Sequence, residues 1–207
     1  NEMTSEAVWG LEHEMAKYKG KVPAANNATL PFTRLLAGPA DFTPCSFDPA
    51  RLAGLTFAHH LACAVVLDSP VTHWADNPER YLKSPAADVI RVMPTVWTQT
   101  RVLEGSEIGR LAAFARQADN GEWFAGVLNG GGARRYDTPL SFLGEGPWKG
   151  TLLADDPARP DAFVRSEIAA KAGDPLHIEL RANGGFVARF VPARSAETGH
   201  PILGGER

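Results

Sequence analysis

Glu6 and Glu12 are the residues of this sequence best placed to do chemistry. They bracket the run Ser5-Glu6-Ala7-Val8-Trp9-Gly10-Leu11-Glu12 near the start of the chain. On one α-helix a spacing of six residues sets two side chains about 120° apart around the axis, so they share no face. They converge only if the chain turns between them, and Gly10 permits a turn. Converged carboxylates have two recognisable uses. They bind a hard cation such as Ca2+, or they work as a general acid and its partner, as in glycoside cleavage. Composition and spacing alone favour the plainer alternative, two solvated acids of an N-terminal segment, so the context has to decide. Glu14 reads as exposed, and His13 as a supporting group at most.

Other reactive residues point to structure. His59 and His60 are adjacent, and neighbours on a helix point roughly 100° apart, so they do not readily share a metal. They read as one packed and one polar histidine. Asp41, in Gly38-Pro39-Ala40-Asp41-Phe42-Thr43-Pro44, is set at a strand end before a loop. A carboxylate there could bond a sugar hydroxyl or cap local N–H groups, and capping is the simpler role. The two cysteines, Cys45 and Cys63, form no CxxC pair, which excludes a zinc ribbon. They read as free, partly buried thiols, with a disulfide as the alternative. Asn129-Gly130-Gly131-Gly132 has no following Lys-Ser/Thr and no helix, so it is a turn and not a phosphate loop.

The elements that carry these residues differ between the two halves. Up to residue 95, helical, extended and loop patterns mix. Leu55 to Leu67 reads as a helix, with Leu55, Ala58, Ala62, Val65 and Val66 at helical spacing and Pro70 beyond its end. Asp76-Asn77-Pro78 reads as a cap with Pro in the first turn of a short helix. Another short helix spans Ala86 to Val92, stopped before Pro94. From Val96 onward, short β-rich runs alternate with turn signals. The predicted strands are 96–103, 110–117, 123–129, 139–142, 148–154, 163–168, 176–182 and 185–191. Asp119-Asn120-Gly121 is a hairpin signal. Leu176, Ile178 and Leu180 alternate with His177, Glu179 and Arg181, as a half-buried strand requires. This spacing predicts an antiparallel β-sandwich. The tail from 193 to 207 is polar and is expected to be flexible.

Bulk properties narrow the partners. The chain is 44% hydrophobic, which suffices for a sizeable core. A net charge of -3 offers no basic field for a nucleic-acid backbone. No apolar run approaches the roughly 18–20 residues that span a bilayer.

The ordered set of motifs resembles the C-terminal part of glycoside hydrolase family 97. It comprises Ser-Glu-Ala-Val-Trp-Gly-Leu-Glu, Asn-Ala-Thr-Leu-Pro-Phe-Thr-Arg, Ala-Gly-Pro-Ala-Asp-Phe-Thr-Pro, His-His-Leu-Ala, Asp-Ser-Pro and Pro-Thr-Val-Trp. Thr-Arg-Val-Leu-Glu-Gly, Trp-Phe-Ala-Gly, Phe-Leu-Gly-Glu-Gly and Gly-Gly-Phe-Val-Ala-Arg continue it to about residue 192. Each motif is weak; their order is specific. The resemblance implies an α/β plus all-β chain. Residues 1–95 would be the last part of a catalytic (β/α)8 barrel, and residues 96–192 a C-terminal antiparallel β-sandwich. It implies an exported, periplasmic or secreted, exo-acting α-glucosidase or α-galactosidase. Glu12 would be the general acid, and Glu6 a Ca2+ ligand with Glu12 also near the metal. The base or nucleophile, a further acidic ligand, the rest of the barrel and an N-terminal sandwich would lie upstream, so this chain alone is expected to be inactive. Cys45 stands where many members carry Gly. A nearby cation lowers a carboxyl pKa while a general acid needs a raised one, a conflict that further acidic ligands would ease. The second reading is a non-catalytic carbohydrate-binding or structural sandwich, in which an exposed Trp123 or Trp148 would stack on a sugar ring, although core packing is the simpler role for both.

Overall fold

A computed structural model describes residues 8–10 and 21–193. Most of the predicted tail lies outside the described residues. The strands are β1 (Gln99–Val102), β2 (Leu111–Gln117), β3 (Trp123–Asn129), β4 (Arg134–Pro139), β5 (Trp148–Asp155), β6 (Phe163–Ala170), β7 (Pro175–Leu180) and β8 (Gly185–Pro192). Six of them form one sheet in the order β1-β2-β3-β8-β5-β6, and β4 pairs with β7 in a second. Every one of these pairings is antiparallel. The helices are α1 (Ala24–Asn27), α2 (Phe57–Val66), α3 (Pro78–Lys83) and α4 (Ala87–Val92).

The large sheet is covered on both sides. Residues Leu111 to Arg116 of β2 and all of β3 are buried, which is not the pattern of a half-solvated strand. Successive residues serve opposite cores. Phe114, Phe124, Leu128 and Val187 face a layer built on α2. Trp123, Val127, Phe186 and Phe190 face the small sheet, whose β7 sends Leu176, Ile178 and Leu180 inward. Each large apolar side chain removed from water in these layers contributes about 1.5–3 kcal/mol.

Helix α2 lies directly on β3 and β8 because glycine leaves room for it. A Cβ on Gly126 would sit 2.9 Å from Val65 Cβ, and one on Gly185 would sit 2.6 Å from His59 Cα. Every residue of α2 except Ala64 is buried. Thr56 caps its start, accepting from His59 N at 3.0 Å. Arg116 reaches from β2 to its other end, donating to Val66 O at 2.9 Å with Asp68 3.4 Å away.

One predicted strand needs correction. The run Pro139–Phe142 is not a strand. The strand is β4, which ends at Pro139, and its outward Arg135 and Asp137 gave it the composition of a loop. Leu140 and Leu143 instead plug the core from the following turn. The Asp119-Asn120-Gly121 hairpin forms as expected, with Gly121 at φ +85° and Glu122 N bonded to Asn120 Oδ1.

Candidate active site

Glu6 and Glu12 lie outside the described residues, as do His13 and Glu14. The described stretch between the two carboxylates is Val8-Trp9-Gly10. Gly10 is buried, and Trp9 is 53% exposed. Beneath Trp9 and Gly10 is a cavity of about 20 Å³ lined by Asn27, Phe42, Cys45, His60 and Cys63, among others. That holds about one water molecule and no sugar. The residues that line it form a floor beneath Trp9 and Gly10.

The floor is assembled from distant parts of the chain. Phe42 makes a parallel bridge to Thr72, extended by Ala75 N to Pro44 O at 3.2 Å. Asp76 then pins the loop, accepting from Phe47 N and Asn77 N, both at 2.7 Å, and from Arg80 at 2.8 Å. Burial raises the pKa of Asp76, but the Asn77 and Phe47 amides and Arg80 outweigh it and hold the carboxyl below its ordinary value. Tyr81 Oη donates to Cys45 O at 2.6 Å. Cys45 has φ 67°, the left-handed region that favours glycine. Cys45 and Cys63 are both free and buried. Burial pushes the Cys45 thiol up, with Cys63 and Asp76 adding to it, so it is held as an inert thiol.

Asp41 is half-buried, and the adjacent Phe42 amide bonds Ser69 Oγ at 3.2 Å rather than the Asp41 carboxylate. His59 and His60 are both packed, which corrects the expectation of one packed and one polar ring. His59 Nδ1 lies 3.0 Å from Gly184 O, and its Nε2 3.1 Å from Asn27 Nδ2. A carbonyl only accepts, so Nδ1 carries the proton and Nε2 accepts from Asn27. Burial lowers the pKa of His59 to about 3 and that of His60 to about 4, so both are neutral. Among the described residues no group of three or more His, Cys, Asp or Glu side chains is arranged to hold a metal.

One further group was not foreseen. Asp155, at the end of β5, is buried and accepts three hydrogen bonds: Thr56 Oγ1 at 2.6 Å, Arg181 N at 2.9 Å and Gly185 N at 3.0 Å. It joins the cap of α2 to the turn between β7 and β8. Burial raises its pKa against the pull of these bonds. Its sequence signal was slight, an acid after the apolar run Leu152-Leu153-Ala154 at the end of a strand. Trp123 and Trp148 are 4% and 6% exposed, so neither offers a sugar platform; Trp148 Nε1 donates to Gly144 O. The carbohydrate-binding form of the second reading loses the side chains on which it stood, and its structural form does not depend on them.

Residues 96–191 match the family described as glycosyl-hydrolase 97 C-terminal, oligomerisation. The chain is 36% identical over 188 residues to a probable retaining alpha-galactosidase of Streptomyces bingchenggensis (strain BCW-1). That match covers 90% of this chain and 28% of the relative. Structures of a glycoside hydrolase family 97 enzyme from Pseudoalteromonas sp. strain K8, with panose and with acarbose, superpose with a TM-score of 0.83 at 30% identity. They match 90% of this chain and 31% of that one. The chain therefore belongs to glycoside hydrolase family 97, as a C-terminal portion spanning less than a third of these relatives.

Proposed function

We propose that this chain is the C-terminal part of an exo-acting α-glycosidase, an α-glucosidase or α-galactosidase, in which Glu12 is the general acid. The observation that carries the reading is the extent of the similarity. A match of 188 residues to a probable retaining alpha-galactosidase is longer than the whole segment 96–191, so it reaches well into the N-terminal half, where this reading puts Glu6 and Glu12. The family 97 structures with panose and acarbose favour an oligosaccharide as substrate. In this reading residues 1–95 close the barrel, a role favoured by the parallel bridge between Phe42 and Thr72. The remainder of the barrel, an N-terminal sandwich and the base or nucleophile come from upstream residues, and the protein is exported.

Glu6 and Glu12 are hard oxygen donors suited to Ca2+. A bound calcium would supply charge stabilisation at this segment. Glu12 holds the proton for the departing glycosidic oxygen. The buried floor of Asn27, Cys45, His60 and Cys63 lies beneath Trp9 and Gly10. Residues 96–191 serve self-association, the role in the description of their family.

The test is hydrolysis of terminal α-glucosides and α-galactosides by the complete protein, before and after calcium chelation. Activity lost on chelation and restored by Ca2+ is expected. Absence of α-glycosidase activity overturns the reading, and chelator-resistant activity removes calcium from it.

A further inference from the structure

The large sheet ends in two different edges. At β6, Arg165 anchors the strand to α4, bonding Asp88 at 2.6 and 2.9 Å and the Pro85 carbonyl at 2.6 Å. At β1, all four residues are exposed, and among the described residues the strand pairs only with β2. Val102 on this strand is 57% exposed. Beside the strand runs a groove of about 300 Å³ lined by Arg101, Leu103, Thr138, Pro139 and Phe142, among others. An open edge with apolar neighbours is a template for another strand.

We propose that β1 is the seat of self-association, with two copies pairing antiparallel through this edge so that their large sheets become continuous. The proposal rests on the self-association reading given above and names the surface that performs it. The register follows from the backbone. Leu103 N bonds Ala113 O on β2 at 2.8 Å, so by alternation the amide and carbonyl groups of Thr100 and Val102 face outward. A two-fold axis at Thr100 sets Thr100 against its own copy and Gln99 against Arg101 of the second copy. An axis at Arg101 would set two guanidinium groups opposite each other, which like charge disfavours. An axis at Val102 would run the pairing past the end of β1. The Thr100 register is self-complementary, as a two-fold interface requires.

The experiment is the solution mass of the complete protein by gel filtration with light scattering. Thr100→Pro removes an outward N–H and sacrifices no bond to β2. Val102→Lys places a charge on the edge. The wild type is expected at twice its chain mass. Each variant is expected at half the wild-type mass, with a cooperative melt and unchanged activity per chain. A dimeric wild type with both folded variants still dimeric overturns the assignment to β1 alone. A monomeric wild type overturns the self-association reading and the proposal with it. Should Thr100→Pro fail to fold, Val102→Lys decides.

Discussion

The two faces of the large sheet are covered by different kinds of contact. The face toward the small sheet is almost wholly apolar, and its exceptions are peripheral, such as Tyr136 Oη donating to Glu104 O at 2.7 Å. The face toward α2 mixes an apolar core with buried polar ties: Asp155, Thr56, His59, Asn27 and Arg116. Apolar contact tolerates sliding, whereas directional bonds at both ends of a helix fix its position. The rigid face is the one on which the floor beneath Trp9 and Gly10 is built.

The largest expected effect is at Asp155. Replacement by Ala strands three donors, Thr56 Oγ1, Arg181 N and Gly185 N, at a cost of about 3 kcal/mol or more. Chemical denaturation of the variant measures it. A loss below that of a peripheral hydrogen bond would break the comparison between the faces.

Acid sharpens the same comparison. His59 and His60 have folded pKa values of about 3 and about 4 against an ordinary 6.5, so the unfolded chain takes up protons first as pH falls. Their contribution to stability is complete above the unfolded value and is lost as pH drops from there toward 4. Each contributes a slope of about 1.4 kcal/mol per pH unit in that window. Asp155, raised by burial, acts in the opposite sense from its ordinary value of 3.8 upward. Denaturation at several pH values should show a shallower slope for His60→Leu than for the wild type. Equal slopes would mean that His60 is not held neutral by burial. The smallest effect belongs to the apolar face. Tyr136→Phe removes only its bond to Glu104 O and is expected to cost about 1 kcal/mol. A loss matching that of Asp155→Ala would place polar anchoring on both faces.

What the sequence revealed followed the range of the interactions. Helix α2, its neighbours α3 and α4, the Asp119–Gly121 hairpin and seven of the strands were legible because apolar spacing, caps and turn residues are local signals. Strand β4 was missed because its outward side is charged and only Tyr136 and Thr138 are buried. The bond from Thr56 to Asp155 joins residues 99 apart, so no local pattern announces it. The positive φ of Cys45 likewise depends on a loop held by Asp76 and Tyr81, which are distant in sequence. The Glu6–Glu12 pair was ambiguous by spacing and gained meaning only from the order of the motifs around it.

The central claim is the role of Glu12, and leaving-group dependence tests it most directly. In the complete enzyme, kcat/KM of Glu12→Gln should be compared with wild type on a natural α-linked disaccharide and on an aryl α-glycoside with an acidic phenol. Loss of a general acid predicts a fall of about 10²–10⁴-fold on the disaccharide and a much smaller fall on the aryl substrate, which needs no proton to leave. An equal fall on both substrates, or no fall on either, would contradict the assignment.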